Sequence, residues 1–175
     1  DLFVSEALKR LGPLVCQVEL LAAHYDAVVA NPPYMGSKYQ TSLLKKFTGD
    51  NYSDAKSDLF ASFIERSYTL AKRTGHGAMV TMQSWMFLSS FEKMRERLLR
   101  ERTIASMAHL GPRGFAHSSA LIVQTVAFVL ANRPPRGYVP AFFRLLEGGE
   151  ADKGRALAEG QCRFNDTTQE ELGRI

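Results

Sequence analysis

Apolar residues recur along this chain at two different spacings. Leu2, Phe3, Ala7, Leu8 and Leu11 repeat every three to four residues, Gly12-Pro13 interrupts, and Leu14, Val15, Val18, Leu21 and Ala22 resume. That period predicts one broken or two short helices, packed on the strand that follows. Tyr25 to Ala30 is a short apolar run containing the β-branched pair Val28-Val29, which reads as a buried strand. Residues 35–56 mix Gly, Ser, Thr, Lys and aromatics without a period, as lids and binding loops do. Leu59, Phe60, Phe63, Ile64, Ser67, Leu70 and Ala71 then mark an amphipathic helix. Ser57 is its expected N-cap, Asp58 lies in its first turn, and Gly75 is its expected stop.

Residues 78–82 are a second buried strand. Ser89 and Glu92 have the spacing of a capping box opening a helix to about Leu99. Residues 104–110 are a third strand, 111–114 a turn, 115–120 a loop, and 121–130 a fourth strand, apolar enough to be buried on both faces. Residues 138–145 read as an edge strand or hairpin partner. A short helix around 151–159 and another start near Asp166 and Gln169 complete the chain. Strand and helix alternate, so the fold class is α/β. No helical period separates the third and fourth strands, which argues for an antiparallel pair in a mixed sheet.

The candidate chemistry sits where the first strand stops. Asn31-Pro32-Pro33-Tyr34 follows it directly, and neither proline can donate to a sheet ladder. Ligands of open α/β sheets bind at the carboxyl ends of strands. An exocyclic amine on a nucleobase is a poor nucleophile because its lone pair is delocalised into the ring. Two acceptors aimed at its hydrogens localise that pair. An Asn side-chain oxygen and a carbonyl held by rigid prolines are two such acceptors. The Tyr34 ring offers a face on which a base can stack.

The motif resembles that of amino-methyltransferases, chiefly N6-adenine DNA methyltransferases. The run Tyr25-Asp26-Ala27-Val28-Val29-Ala30-Asn31-Pro32-Pro33-Tyr34-Met35-Gly36-Ser37-Lys38-Tyr39 is similar to one family in particular, PglX, the adenine methyltransferase of BREX-type phage-exclusion systems. The segments Lys56-Ser57-Asp58-Leu59-Phe60 and Trp85-Met86-Phe87-Leu88-Ser89-Ser90 resemble it too, and the likeness extends over roughly residues 14 to 175.

The resemblance implies the C-terminal half of a Rossmann-like S-adenosylmethionine-dependent methyltransferase fold, with an antiparallel last strand between the two before it. It implies double-stranded DNA as partner, other phage-defence proteins as further partners, and methyl transfer to an adenine flipped from the duplex. Asn31, Pro32, Pro33 and Tyr34 would be catalytic. Tyr34 and Phe115, an aromatic in the loop after the third strand, would hold the base. Asp58 and Phe63 match a segment that borders the cofactor, although helix-start chemistry accounts for Asp58 equally well and core packing for Phe63. No strand–glycine turn–helix unit of a cofactor half is found, so the main cofactor-binding motif is expected to lie elsewhere. The chain reads as a piece of something longer: residues 1–149 as the catalytic-motif half of a domain, and 150–175 as a polar extension. On its own it is expected to be inactive, and its first strand to present an open edge for a dimer. Two rival readings share the motif: methylation of RNA or of a protein glutamine, and a DNA- or partner-binding module without activity.

Composition adds little. Of 175 residues, 45% are hydrophobic and 23% charged, which permits one folded core. Lys and Arg outnumber Asp and Glu by 22 to 18, a mild excess compatible with nucleic acid. The two cysteines, Cys16 and Cys162, have no metal spacing and fit a reduced, cytoplasmic protein. His24, His76, His109 and His117 suggest no metal either. No run approaches the length of a membrane span. Lys38, Lys45 and Lys46 could meet phosphates. Trp85, after the second strand, could be a stacking platform, although a core position is the expectation, and Arg95, Arg97, Arg100 and Arg102 are expected on a solvated helix end.

Overall fold

The computed structural model describes residues 2–114, 123–164 and 168–169. Its strands are β1 (Tyr25–Ala30), β2 (Ala71–Met82), β3 (Thr103–Gly111), β4 (Thr125–Ala131), β5 (Ala141–Arg144) and β6 (Arg163–Phe164). They form one mixed sheet in the order β1-β2-β4-β3-β5-β6. β1 and β2 are parallel, β4 is antiparallel to both β2 and β3, and β5 is parallel to β3. The antiparallel strand thus lies between the two that precede it, as expected. The carboxyl ends of β1, β2, β3 and β5 and the start of β4 all share one edge of the sheet. Among the described residues β1 pairs with β2 alone and ends the sheet order, with Val29 77% exposed. No helix among them is long and apolar enough to cross a membrane.

The helices are α1 (Leu2–Ala22), α2 (Ser42–Asn51), α3 (Leu59–Leu70), α4 (Glu92–Glu101) and α5 (Glu150–Ala158). α3 packs on β1 and β2, and α4 on β3. The core gathers Phe60 and Ile64 of α3, Met94 and Leu98 of α4, and Val126 and Phe128 of β4. Each helix contributes a pair four residues apart, which lie on one face. Trp85 is buried there as expected, its Nε1 donating to Thr81 Oγ1 at 3.1 Å.

Several sequence expectations give way. α1 runs unbroken through Pro13, which removes one backbone donor without ending the helix. From Ser5 to Ala22 its side chains are exposed, so it does not pack on β1. An amphipathic period shows that a helix has an apolar face, not what covers it. Part of 35–56 is helical: Thr41 Oγ1 accepts from Leu44 N and caps α2. β2 begins at Ala71, seven residues early. A Cβ at Gly75 would stand 2.8 Å from the Tyr25 carbonyl oxygen and 3.0 Å from that of Asp26. Gly75 is therefore glycine because two backbones meet, not because a helix ends.

Asp58 rather than Ser57 caps α3. The Ser89–Glu92 box does not form, because a 3-10 turn over Ser89–Phe91 precedes α4. The arginines are not simply solvated either. Arg97 pairs with Asp54 at 3.1 Å and with Glu65, and the Arg102 guanidinium lies 4.5 Å from the Tyr68 ring centre. Arg95 Nη1 donates to the carbonyls of Trp85 and Leu88.

Two buried side chains, whose partners no sequence signal announced, tie the two ends of β3 to the segments beside them. Lys153 is buried and donates to the carbonyls of Leu110 and Pro112. Gln169, also buried, accepts from Ile104 N at 2.7 Å and donates to the carbonyls of Leu99 and Arg102.

Candidate active site

Asn31 is the first residue beyond β1 and is exposed, with Pro32 buried behind it and Pro33 exposed. The Tyr34 hydroxyl donates to Asn31 Oδ1 at 3.5 Å, the long limit of a hydrogen bond. Burial raises the Tyr34 phenol above its ordinary pKa, so it stays protonated. Its ring meets Phe60 edge-on, centroids 6.2 Å apart, and Phe60 lies 5.8 Å from Phe91. The motif therefore stands on the core while its Asn faces solvent.

Asp58 anchors the other end of the loop. Its Oδ1 accepts from Met35 N at 2.9 Å and from Phe60 N at 3.4 Å, joining the residue after Tyr34 to the first turn of α3. Backbone bonds from Ser37 N to Ser57 O and from Leu59 N to Met35 O reinforce that seam. Buried Gln40 adds a third tie: its Nε2 donates to the Met35 carbonyl, and its Oε1 accepts from Thr48 of α2. Burial raises the Asp58 carboxyl above its ordinary pKa, opposed by the Met35, Phe60 and Leu59 backbone donors. Asp58→Ala is expected to cost about 1 kcal/mol, the usual loss for an N-cap, with a smaller cost for Asp58→Asn, which keeps an acceptor. Thermal melts of the two variants check the order.

A cavity of about 810 Å³ opens beside the motif, lined by Ala30, Leu44, Phe47, Leu59, Phe63 and Leu70 among others. Phe63 is 40% exposed and faces this space instead of the core. Asp58 is not among its lining residues, nor is any other Asp or Glu among the described residues. Phe115 lies outside the described residues. Lys38 sits 4.7 Å over the exposed Tyr39 ring, and Lys46 pairs with Asp50 at 2.6 Å. No group of three or more His, Cys, Asp or Glu among the described residues could hold a metal.

Sequence reasoning missed a second polar cluster on the same edge. Gln83, just past β2, accepts or donates at both ends of its carboxamide: Oε1 meets His109 Nε2 of β3, and Nε2 donates to Gln124 Oε1 before β4. Gln83 N also donates to the Gln124 carbonyl at 2.9 Å. Only the placing of the strand ends brings these residues together.

Burial, then the charges of Arg144 and Lys153, lower the His109 pKa below 6.5. The unfolded chain therefore takes up this proton first. The stability that His109 contributes is full above about 6.5 and is lost as pH falls through the depressed folded value. His109→Gln should remove that part of the acid sensitivity, seen as a smaller drop in melting temperature between about pH 7.5 and 5.

The family model of the Eco57I restriction-modification methylase matches residues 13–115. The chain is 45% identical over 175 residues to the adenine-specific methyltransferase BrxX of Escherichia coli O9:H4 (strain HS), covering 100% of this chain and 14% of that protein. It is 45% identical over 138 residues to the adenine-specific methyltransferase PglX of Lacticaseibacillus casei (strain Zhang), covering 79% of this chain and 11% of that protein. Its fold is similar to that of a putative class I S-adenosylmethionine-dependent methyltransferase from Listeria monocytogenes. The TM-score is 0.54 at 18% identity, over 78% of this chain and 42% of that one. The chain thus spans a small part of the curated relatives it matches. With the motif at the end of β1, the antiparallel β4 between β2 and β3, and a family model covering more than half its length, the chain belongs to the Eco57I restriction-modification methylase family.

Proposed function

We propose that this chain is the acceptor side of a DNA adenine-N6 methyltransferase, with Asn31, Pro32, Pro33 and Tyr34 as its catalytic motif and a role in phage defence. The observation that carries the reading is the exposed Asn31 carboxamide at the carboxyl end of β1, touched by the hydroxyl of a tyrosine whose ring rests on Phe60. Asn31 Oδ1 and the Pro32 carbonyl accept the two hydrogens of the adenine amine. Its lone pair then localises on nitrogen and points towards the methyl donor. The Tyr34 ring stacks on the base, and its hydroxyl helps orient the Asn31 oxygen. Flipping the adenine costs a few kcal/mol, offset by these contacts. Orientation of the two reactants supplies much of the rate.

The residues present fit part of S-adenosylmethionine. The apolar cavity beside Ala30 suits its adenine, with Phe63 and Leu59 as candidate contacts. No acidic residue among the described ones lines that cavity to hold a ribose, so the remainder of the site is assigned to the longer protein. Asp58 acts on the cofactor side only through the loop it anchors. When bound, the cofactor supplies a sulfonium-activated methyl group.

Duplex DNA and label from S-adenosylmethionine, given to the full-length protein, test the reading. It requires label in N6-methyladenine after digestion to nucleosides. Label in RNA or in protein glutamine instead would overturn it.

A further inference from the structure

Phe87 and Leu88 are 63% and 52% exposed, two adjacent apolar side chains left in water beside the candidate site. β2 is the neighbour of β1, and both end at the same edge, so the segment that follows β2 stands next to the one that follows β1. Single exposed apolar residues are ordinary. This pair differs in how firmly it is held.

Phe87 N and Leu88 N both donate to the Ser84 carbonyl, closing the turn that carries them. Arg95 Nη1 bonds the carbonyls of Trp85 and Leu88 at 2.9 and 3.2 Å, fastening that turn to α4. Trp85 sinks from it into the core. The Phe87 ring lies 6.3 Å from the His109 ring, and His109 is tied through Gln83 to Gln124. Three strand ends therefore make a fixed bed under an aromatic ring whose outer surface meets nothing among the described residues of the chain.

We propose that Phe87, with Leu88 beside it, is a DNA-contacting wedge that packs against the stacked bases next to the target adenine. This rests on the reading given under Proposed function. Phe and Leu are among the apolar side chains that proteins insert at base steps, unstacking them. Extruding a base opens such a step, and a preorganised ring at that edge fills it without first losing side-chain freedom. The occupant is duplex DNA because the pair shares its edge with Asn31 and Tyr34, the residues that would receive the base.

The test uses the full-length enzyme and a duplex carrying the site that the wild type methylates. One version has 2-aminopurine at the target position, whose fluorescence rises on extrusion. A second has the target adenine opposite an abasic site, where extrusion is easier. Phe87→Ala should lose most of the fluorescence rise and raise KM for the ordinary duplex roughly ten-fold, the scale of one lost base–aromatic contact. The deficit should shrink on the abasic duplex, and Phe87→Leu should restore much of the activity. Affinity for S-adenosylmethionine and melting temperature should stay at the wild-type value. Wild-type behaviour of Phe87→Ala, or equal deficits on both duplexes, overturns the wedge alone. A wild-type enzyme that labels no adenine overturns the functional reading, and the wedge with it.

Discussion

Asn31→Ala in the full-length protein is expected to lower turnover by roughly a hundred- to a thousand-fold, or about 3–4 kcal/mol, the usual cost of deleting one oriented polar group at a reacting centre. DNA and cofactor binding should stay nearly intact, because in the proposed mechanism the bond from Asn31 to the amine strengthens as the lone pair localises. An interaction realised mainly in the transition state appears in kcat and not in ground-state affinity. Asn31 is exposed, and among the described residues its side chain bonds the Tyr34 hydroxyl, at 3.5 Å, so its removal leaves the core untouched. Tyr34→Ala should instead weaken capture of the flipped base by roughly 1–3 kcal/mol of lost stacking. Tyr34→Phe should be mild, since the ring remains on Phe60 and only one long hydrogen bond is lost. Steady-state kinetics on an adenine-containing duplex, with melts alongside, distinguish these variants. Near-normal turnover in Asn31→Ala would remove Asn31 from the mechanism.

Phe60→Ala is expected to destabilise the fold by about 3–5 kcal/mol, the range for truncating a buried phenylalanine. Phe60 is fully buried and touches both Tyr34 and Phe91, so the space left by its ring opens directly beneath the motif. Relaxation of Tyr34 into that space would pull its hydroxyl from Asn31, and turnover should fall with stability. Phe60→Leu, which fills much of the volume, should lose considerably less on both counts. Trp85 is the single tryptophan of the chain and is buried in the same cluster. Urea titrations followed by its fluorescence therefore report on the affected core.

The motif and its strand were legible because their signals are local. The run Val28-Val29-Ala30-Asn31 stops at two prolines whatever surrounds it, but the burial read into that strand was wrong, since no residue of β1 is buried. The helix at 59–70 was legible for the same reason, since a repeated apolar face does not depend on its partner. Phe63 shows the limit of that signal. It lies on the apolar repeat, yet it faces a cavity and not the core, because the repeat marks an angular sector of the helix and not the depth of each position. Asp58 shows another limit. Its spacing announced a helix start, but nothing local announced that the same carboxylate would also hold Met35, 23 residues back.

By itself, then, the sequence determined the α/β class, the place of Asn31-Pro32-Pro33-Tyr34 after its strand and the core position of Trp85. Each depends on backbone stereochemistry or on side-chain periodicity within a few residues. Tertiary structure decided what those residues meet. It made Gly75 a point of backbone contact, extended β2 seven residues towards α3, turned Arg97 of α4 to Asp54 and Glu65 and Arg102 just beyond it to Tyr68, and left α1 without cover among the described residues. It alone assembled His109, Gln83 and Gln124, which come from three strand ends. A polar side chain joins a network only when strands distant in sequence arrive at one edge, and the order of strands in a sheet is set by long-range pairing that no local pattern encodes.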